Sequence, residues 1–90
     1  MTGLQVLQIG GTVSRAGRPV EAAYLALVQG DEFIAECRTG PDGTYAFHVP
    51  PGRWMIVCRA AGFTPHIEEL EAATGSTRLD FVLDAGADGG

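Results

Sequence analysis

The sequence predicts an all-β chain folded as a seven-stranded antiparallel β-sandwich. Three observations predict it. Residues 40 to 59 spell a tight turn, an alternating strand, a second turn and another alternating strand. Clusters of Gly, Pro and Asp fall at regular intervals between alternating apolar runs, which is turn punctuation at sandwich spacing. No stretch of useful length carries helical periodicity.

The first strand is read from Leu4 to Val13, with Leu7, Ile9 and Val13 on one side and a bend or bulge at Gly10 and Gly11. Ser14 to Pro19 forms the first turn. In Val20 to Val28, Ala23, Leu25 and Leu27 alternate with Ala22, Tyr24 and Ala26, and Gln29-Gly30-Asp31 then turns the chain into Glu32 to Arg38. On that strand Phe33, Ala35 and Cys37 are expected to face inward. Pro41-Asp42-Gly43 makes the next turn: proline fixes φ, Asp42 can hydrogen-bond the local backbone, and Gly43 tolerates positive φ.

Tyr45, Phe47 and Val49 share the inward face of the following strand, which Pro50 and Pro51 stop because neither can donate to a ladder. Trp54, Ile56 and Cys58 alternate inward after Gly52. Phe63 to Glu71, with Pro65 and three glutamates, fits a polar edge strand better than a one-turn helix. Thr77 to Leu83 restores alternation through Leu79, Phe81 and Leu83. The expected core is therefore Leu25, Leu27, Phe33, Cys37, Tyr45, Phe47, Trp54, Ile56, Cys58 and Phe81.

Composition bounds the function. Ninety residues make one domain, read as 1–84 with a flexible acidic, Gly-rich tail at 85–90. An apolar content of 46% with 19% charged residues is that of a globular chain. The net charge is −5 and the arginines (Arg15, Arg18, Arg38, Arg53, Arg59 and Arg78) are scattered, so nucleic acid is not an expected partner. No apolar run reaches the roughly 18 residues that span a bilayer, and the N-terminal stretch lacks the basic flank and long apolar segment of a signal peptide. The expectation is no membrane partner and a cytoplasmic location, or a virion assembled there. Lysine is absent, which removes Schiff-base and lysine isopeptide chemistry.

Several anchored turns in order carry a resemblance: Gly11-Thr12-Val13; Gly17-x-Pro19-Val20 with Ala23, Leu25 and Leu27; Asp42-Gly43-x-Tyr45-x-Phe47; Pro51-Gly52-x-Trp54-x-Ile56-x-Cys58; and Gly62-Phe63. Together, over roughly Gly10 to Leu83, the chain resembles the carboxypeptidase regulatory-like domain superfamily, which implies a transthyretin-like (prealbumin-like) sandwich. Ala22 to Leu27, Asp31 to Glu36 and Pro51 to Trp54 look like a small actinobacterial family of unknown function, some members of which are encoded near thiosulfate sulfurtransferases. That likeness implies an accessory role around sulfur metabolism. Superfamily members mostly serve as folding aids, spacers or interaction modules. The transthyretin-like fold also hosts a hydrolase of 5-hydroxyisourate, whose C-terminal Tyr-Arg-Gly-Ser motif is missing from this chain.

No residue pattern points to catalysis, and no cofactor is expected. Cys37 and Cys58 are each followed by an arginine, but adjacent strand residues face opposite ways, so they read as buried structural thiols. A disulfide between them requires facing strands. His48 and His66 lack a second ligand at metal spacing. Ser14 and Ser76 fall in turns without a nucleophile elbow. Asp31, Glu32, Asp42, Glu68 and Glu69 lack the spacing of a calcium loop. The terminal Gly89-Gly90 is similar to the end of a sulfur carrier, but those proteins use a β-grasp fold with a helix.

The remaining feature is an outward surface more apolar than a solvated sheet requires: Tyr24, Ala26, Ile34, Ala46, His48, Met55 and Val57. It predicts a non-enzymatic protein-interaction or structural module, acting through an apolar sheet face or an edge strand, on a protein partner or a second copy of itself, with a homo-oligomer as the simplest form. A phage virion decoration or tail accessory module is a second non-enzymatic expectation. The competing enzymatic one, a transthyretin-like hydrolase, requires a pocket joining His48 to Arg53 or Arg59.

Overall fold

The computed structural model describes residues 6–83. It is an all-β sandwich of two sheets. The strands are β1 (Leu7–Arg15), β2 (Arg18–Pro19), β3 (Tyr24–Gln29), β4 (Glu32–Arg38), β5 (Thr44–Val49), β6 (Gly52–Arg59), β7 (His66–Ala72), β8 (Ser76–Arg78) and β9 (Phe81–Val82). One sheet is built around β1, which pairs antiparallel with β2 and β5 and parallel with β8 and β9. The other runs β4-β3-β6-β7, antiparallel throughout.

Among the described residues nine strand segments stand where seven were expected, and two of the pairings are parallel rather than antiparallel. The extra segments have identifiable causes. Arg15 and Arg18 close a hairpin through Ala16 and Gly17, whose φ values of 50° and 81° match the right-handed strand twist, so Arg18 and Pro19 pair instead of lying in a loop. The last expected strand, Thr77 to Leu83, breaks at Leu79 and Asp80. There the Asp80 carboxylate replaces a ladder partner: Oδ1 accepts from the Thr12 N–H at 2.9 Å. Strand structure over His66–Ala72 also settles the Phe63 to Glu71 segment as an edge strand.

Between Pro19 and Tyr24 the chain crosses from one sheet to the other. Thr39 anchors that crossing: its hydroxyl accepts from the Ala23 N–H at 2.9 Å and donates to the Val20 carbonyl at 2.5 Å. The Pro41-Asp42-Gly43 turn behaves as its residue types require, with Gly43 at φ 78° and Asp42 Oδ1 accepting from the Thr44 hydroxyl at 2.8 Å.

The core lies between the sheets. Leu7, Ile9, Val13, Tyr45, Phe47, Val49 and Phe81 come from the β1 sheet, and Leu25, Leu27, Trp54, Ile56, Cys58 and Ala72 from the other. Each fully buried aliphatic side chain here contributes about 1.5–3 kcal/mol. Polar atoms on this layer are satisfied: the Tyr45 hydroxyl donates to the Leu79 carbonyl at 2.5 Å and Trp54 Nε1 to the Pro50 carbonyl at 3.1 Å. The expected strand residue Leu4, the boundary at Asp84, the tail 85–90 and the Gly89-Gly90 end lie outside the described residues.

Phe33 does not belong to the core; it is 55% exposed. The β3–β4 register slips between Leu27 and Val28: Leu27 pairs with Ala35, but Val28 pairs with Phe33. Cross-strand partners project to the same side, so the bulge at Ile34 inverts the alternation and puts Phe33 with Val28 on the outer face. Ala35 and Cys37, beyond the bulge, keep the expected orientation and pack partly buried against the core.

Candidate interaction surface

The outer face of the β4-β3-β6-β7 sheet follows from its register. One row runs Phe33, Val28, Met55, Glu69 and the next Glu36, Ala26, Val57, Ile67. A third runs Arg38, Tyr24, Arg59. Three apolar side chains thus stand in each of two adjacent rows, with Glu69 ending one and Glu36 beginning the other, on a sheet about 14 Å from edge to edge. Phe33, Ile34 and Ile67 are 55%, 42% and 61% exposed, and Val28, Met55 and Val57 between them are half-buried.

Of the residues read from the sequence as an outward surface, the structure brings Tyr24, Ala26, Met55 and Val57 together here, with Ile34 at the bulge on the edge strand. Ala26 points to this face but is only 7% exposed, since neighbouring side chains cover so small a residue. Ala46 and His48 do not join them. They stand exposed on β5, opposite Gly10 and Gln8, on the outer face of the other sheet. Alternation along one strand cannot tell which of two sheets that strand enters. Phe33, Val28 and Ile67 belong to the surface and were missed: Phe33 because a bulge leaves no composition signal, Ile67 because its strand sits among glutamates.

Both sheet edges carry features that discourage open-ended strand addition. β4 is bulged, and β7 bears Glu68, Glu69 and Glu71. Arg53 reaches across to Glu69 at 3.7 Å, a solvent-exposed pair of little energetic weight.

At the end of the face, Tyr24, Arg38 and Arg59 border a concavity of about 530 Å³ closed by the Ala60 to Pro65 loop. The Arg38 guanidinium lies 5.5 Å from the Tyr24 ring centroid, and Arg15 lies 5.6 Å from that of Phe63. The Glu36 carboxylate beside the Tyr24 hydroxyl raises its pKa, against the opposing pull of Arg59 and Arg38.

The groups weighed for chemistry are placed apart. His48 projects from the β1 sheet, whereas Arg53 and Arg59 project from the outer face of the other sheet, so the sandwich separates them. Cys37 and Cys58 both pair with Leu25, one on each side. Two strand spacings, about 10 Å, exceed the Cα separation a disulfide spans, and both thiols are free. Burial pushes Cys58 up to about 11 and raises Cys37, the latter against a backbone hydrogen bond from Ala46. Neither is held as a thiolate at neutral pH. Among the described residues no group of three His, Cys, Asp or Glu side chains could hold a metal ion, and no helix is long and apolar enough to cross a membrane.

A family model described as the carboxypeptidase regulatory-like domain matches residues 8–84, and the chain belongs to that family. No curated protein matches the sequence. Among solved structures, the 5-hydroxyisourate hydrolase of Klebsiella pneumoniae superposes with a TM-score of 0.74 at 18% identity, covering 90% of this chain and 92% of that one. A DUF3823 family protein from Parabacteroides merdae gives a TM-score of 0.68 at 17% identity, covering 92% of this chain but 48% of its own. Hydroxyquinol 1,2-dioxygenase from Pseudomonas putida gives 0.74 at 14% identity, covering 94% of this chain and 58% of its own. At these identities the likeness is one of fold. The chain thus spans about half the length of two of these three neighbours.

Proposed function

We propose that this member of the carboxypeptidase regulatory-like domain family acts without catalysis, as an interaction or structural module that binds protein through the outer face of the β4-β3-β6-β7 sheet. The observation that carries the reading is the contiguous apolar surface formed by Phe33, Val28, Met55, Val57 and Ile67, with Ile34 at its edge. Contiguous exposed apolar patches on small monomeric proteins are the usual mark of an interaction site. The charged residues around it, Glu36, Arg53, Glu69 and Glu71, form the polar rim that such sites have.

A second copy of the chain is the simplest occupant, because two such faces are self-complementary about a two-fold axis. Within this proposal the module works in the cytoplasm and uses neither nucleic acid nor membrane. The finer likeness to a small actinobacterial family belongs to the same proposal and brings no chemistry of its own. Light scattering across a concentration series under reducing conditions tests it. The expected result is an oligomer that Met55→Glu, at a half-buried position on the face, converts to monomer while the thermal unfolding transition stays cooperative. A wild-type chain that remains monomeric at about 1 mM, or an oligomer indifferent to Met55→Glu, overturns self-association through this face.

A further inference from the structure

The Arg38–Tyr24–Arg59 row marks a site with a charge opposite to that of the chain. The protein carries a net charge of −5, yet three of its six arginines, Arg15, Arg38 and Arg59, converge on the ends of β1, β4 and β6 beside the Ala60 to Pro65 loop. Arg38 and Arg59 flank Tyr24 in register, one on each neighbouring strand, which sets their Cα atoms about 10 Å apart. Among the described residues the ion pairs are Arg53 with Glu69 and Arg78 with Asp80, so neither Arg38 nor Arg59 is paired. Glu36, in the adjacent row, sits beside the Tyr24 hydroxyl.

The concavity they line is about 530 Å³, and Phe63 and Pro65 supply an apolar part of its wall. The Arg38 guanidinium lies over the Tyr24 ring and that of Arg15 over Phe63, cation–π contacts that leave guanidinium N–H edges for an acceptor. Carboxylates match those edges in a bidentate fashion, and an apolar group one residue away would meet the Phe63 wall.

From this the geometry points to a carboxylate-recognition site: the Arg38–Arg59 cleft binds an acidic segment of a protein partner, seating an Asp or Glu carboxylate between the two guanidinium groups and a neighbouring aromatic side chain against Phe63. The assignment rests on the reading of this sheet as a protein-binding face, with which the cleft is continuous through Tyr24.

The test is an NMR titration of isotope-labelled protein with N-acetyl-aspartyl-phenylalaninamide, its neutral asparaginyl counterpart, and inorganic phosphate. The acidic dipeptide is expected to bind with a Kd near 1 mM, shifting resonances of Tyr24, Arg38, Arg59 and Phe63 and weakening as salt rises. Combined Arg38→Gln and Arg59→Gln substitution should weaken it at least about tenfold, with an unchanged unfolding transition, whereas Arg18→Gln should leave it alone. Three results overturn the assignment: no shifts up to about 20 mM, equal binding of the neutral dipeptide, or equal or tighter binding of phosphate at the same resonances. Because Met55 lies outside the cleft, the Met55→Glu chain should still bind the dipeptide. Loss of self-association and loss of this site are thereby read separately.

Discussion

Gly11→Ala offers a sharp test of how the β1 sheet closes. A Cβ built at Gly11 would lie 2.2 Å from the Leu79 carbonyl oxygen, 2.7 Å from its carbon and 2.6 Å from Asp80 Oδ1. These are backbone and hydrogen-bonded atoms, so relief requires the break between β8 and β9 to move away from β1 by about 1 Å. That movement weakens two bonds, Leu79 N–H to the Gly10 carbonyl at 2.9 Å and Thr12 N–H to Asp80 Oδ1 at 2.9 Å. Each contributes about 1 kcal/mol, and the residual overpacking costs about 1–3 kcal/mol. The expected loss is about 3–5 kcal/mol, against a total stability of about 5–13 kcal/mol for a chain of 90 residues. Urea unfolding followed by Trp54 fluorescence would show it as a midpoint lowered by about 2–3 M. Gly30→Ala is the comparison, since Gly30 has φ 61° with nothing within 4 Å of the added methyl, so it incurs only backbone strain of about 1 kcal/mol. If Gly11→Ala costs no more than Gly30→Ala, the close approach of Leu79 is not what closes this sheet.

Two further predictions concern pH. Burial lifts the Cys58 thiol from 9.0 to about 11, so the folded state holds the proton more tightly than the unfolded one. Its contribution is fully present below the unfolded value and is lost as pH rises from about 9 to 11, by roughly 2–3 kcal/mol. Denaturant unfolding of wild type against Cys58→Ala at several alkaline pH values should converge as that window is crossed, and a constant difference would refute the burial argument. At the acid end, hydrogen bonds from Arg78 and then from the Thr12 N–H hold Asp80 below the usual carboxylate range. Its contribution is therefore present above the unfolded pKa and disappears as pH falls through the folded one. Asp80→Asn, which keeps an acceptor for Thr12, should flatten the acid limb of the stability profile slightly. An unchanged limb would mean that Asp80 titrates alike in both states.

What the sequence by itself determined is whatever depends on neighbours along the chain. Alternation placed Leu25, Leu27, Tyr45, Phe47, Trp54, Ile56 and Cys58 on the buried side, because a strand turns successive side chains to opposite faces wherever its pleat is regular. Pro41-Asp42-Gly43 specified its turn, since φ restriction and the Asp42 hydrogen bonds act within four residues. The order of these anchored turns also sufficed to suggest the family.

Pairing across the sandwich decided the rest. The bulge at Ile34 turned Phe33 from an expected core residue into part of the outer surface, a consequence of how β4 registers against β3. Ala46 and His48 proved to belong to a different sheet from Tyr24 and Met55, a matter of topology rather than alternation. The parallel pairing of β8 and β9 with β1 joins residues more than sixty positions apart, through Asp80 and Thr12. The gathering of Arg15, Arg38 and Arg59 around Tyr24 and Phe63 depends in the same way on contacts between distant segments. Local propensity acts over a few residues, but a site on a sheet is assembled from strands whose order only the closed structure sets.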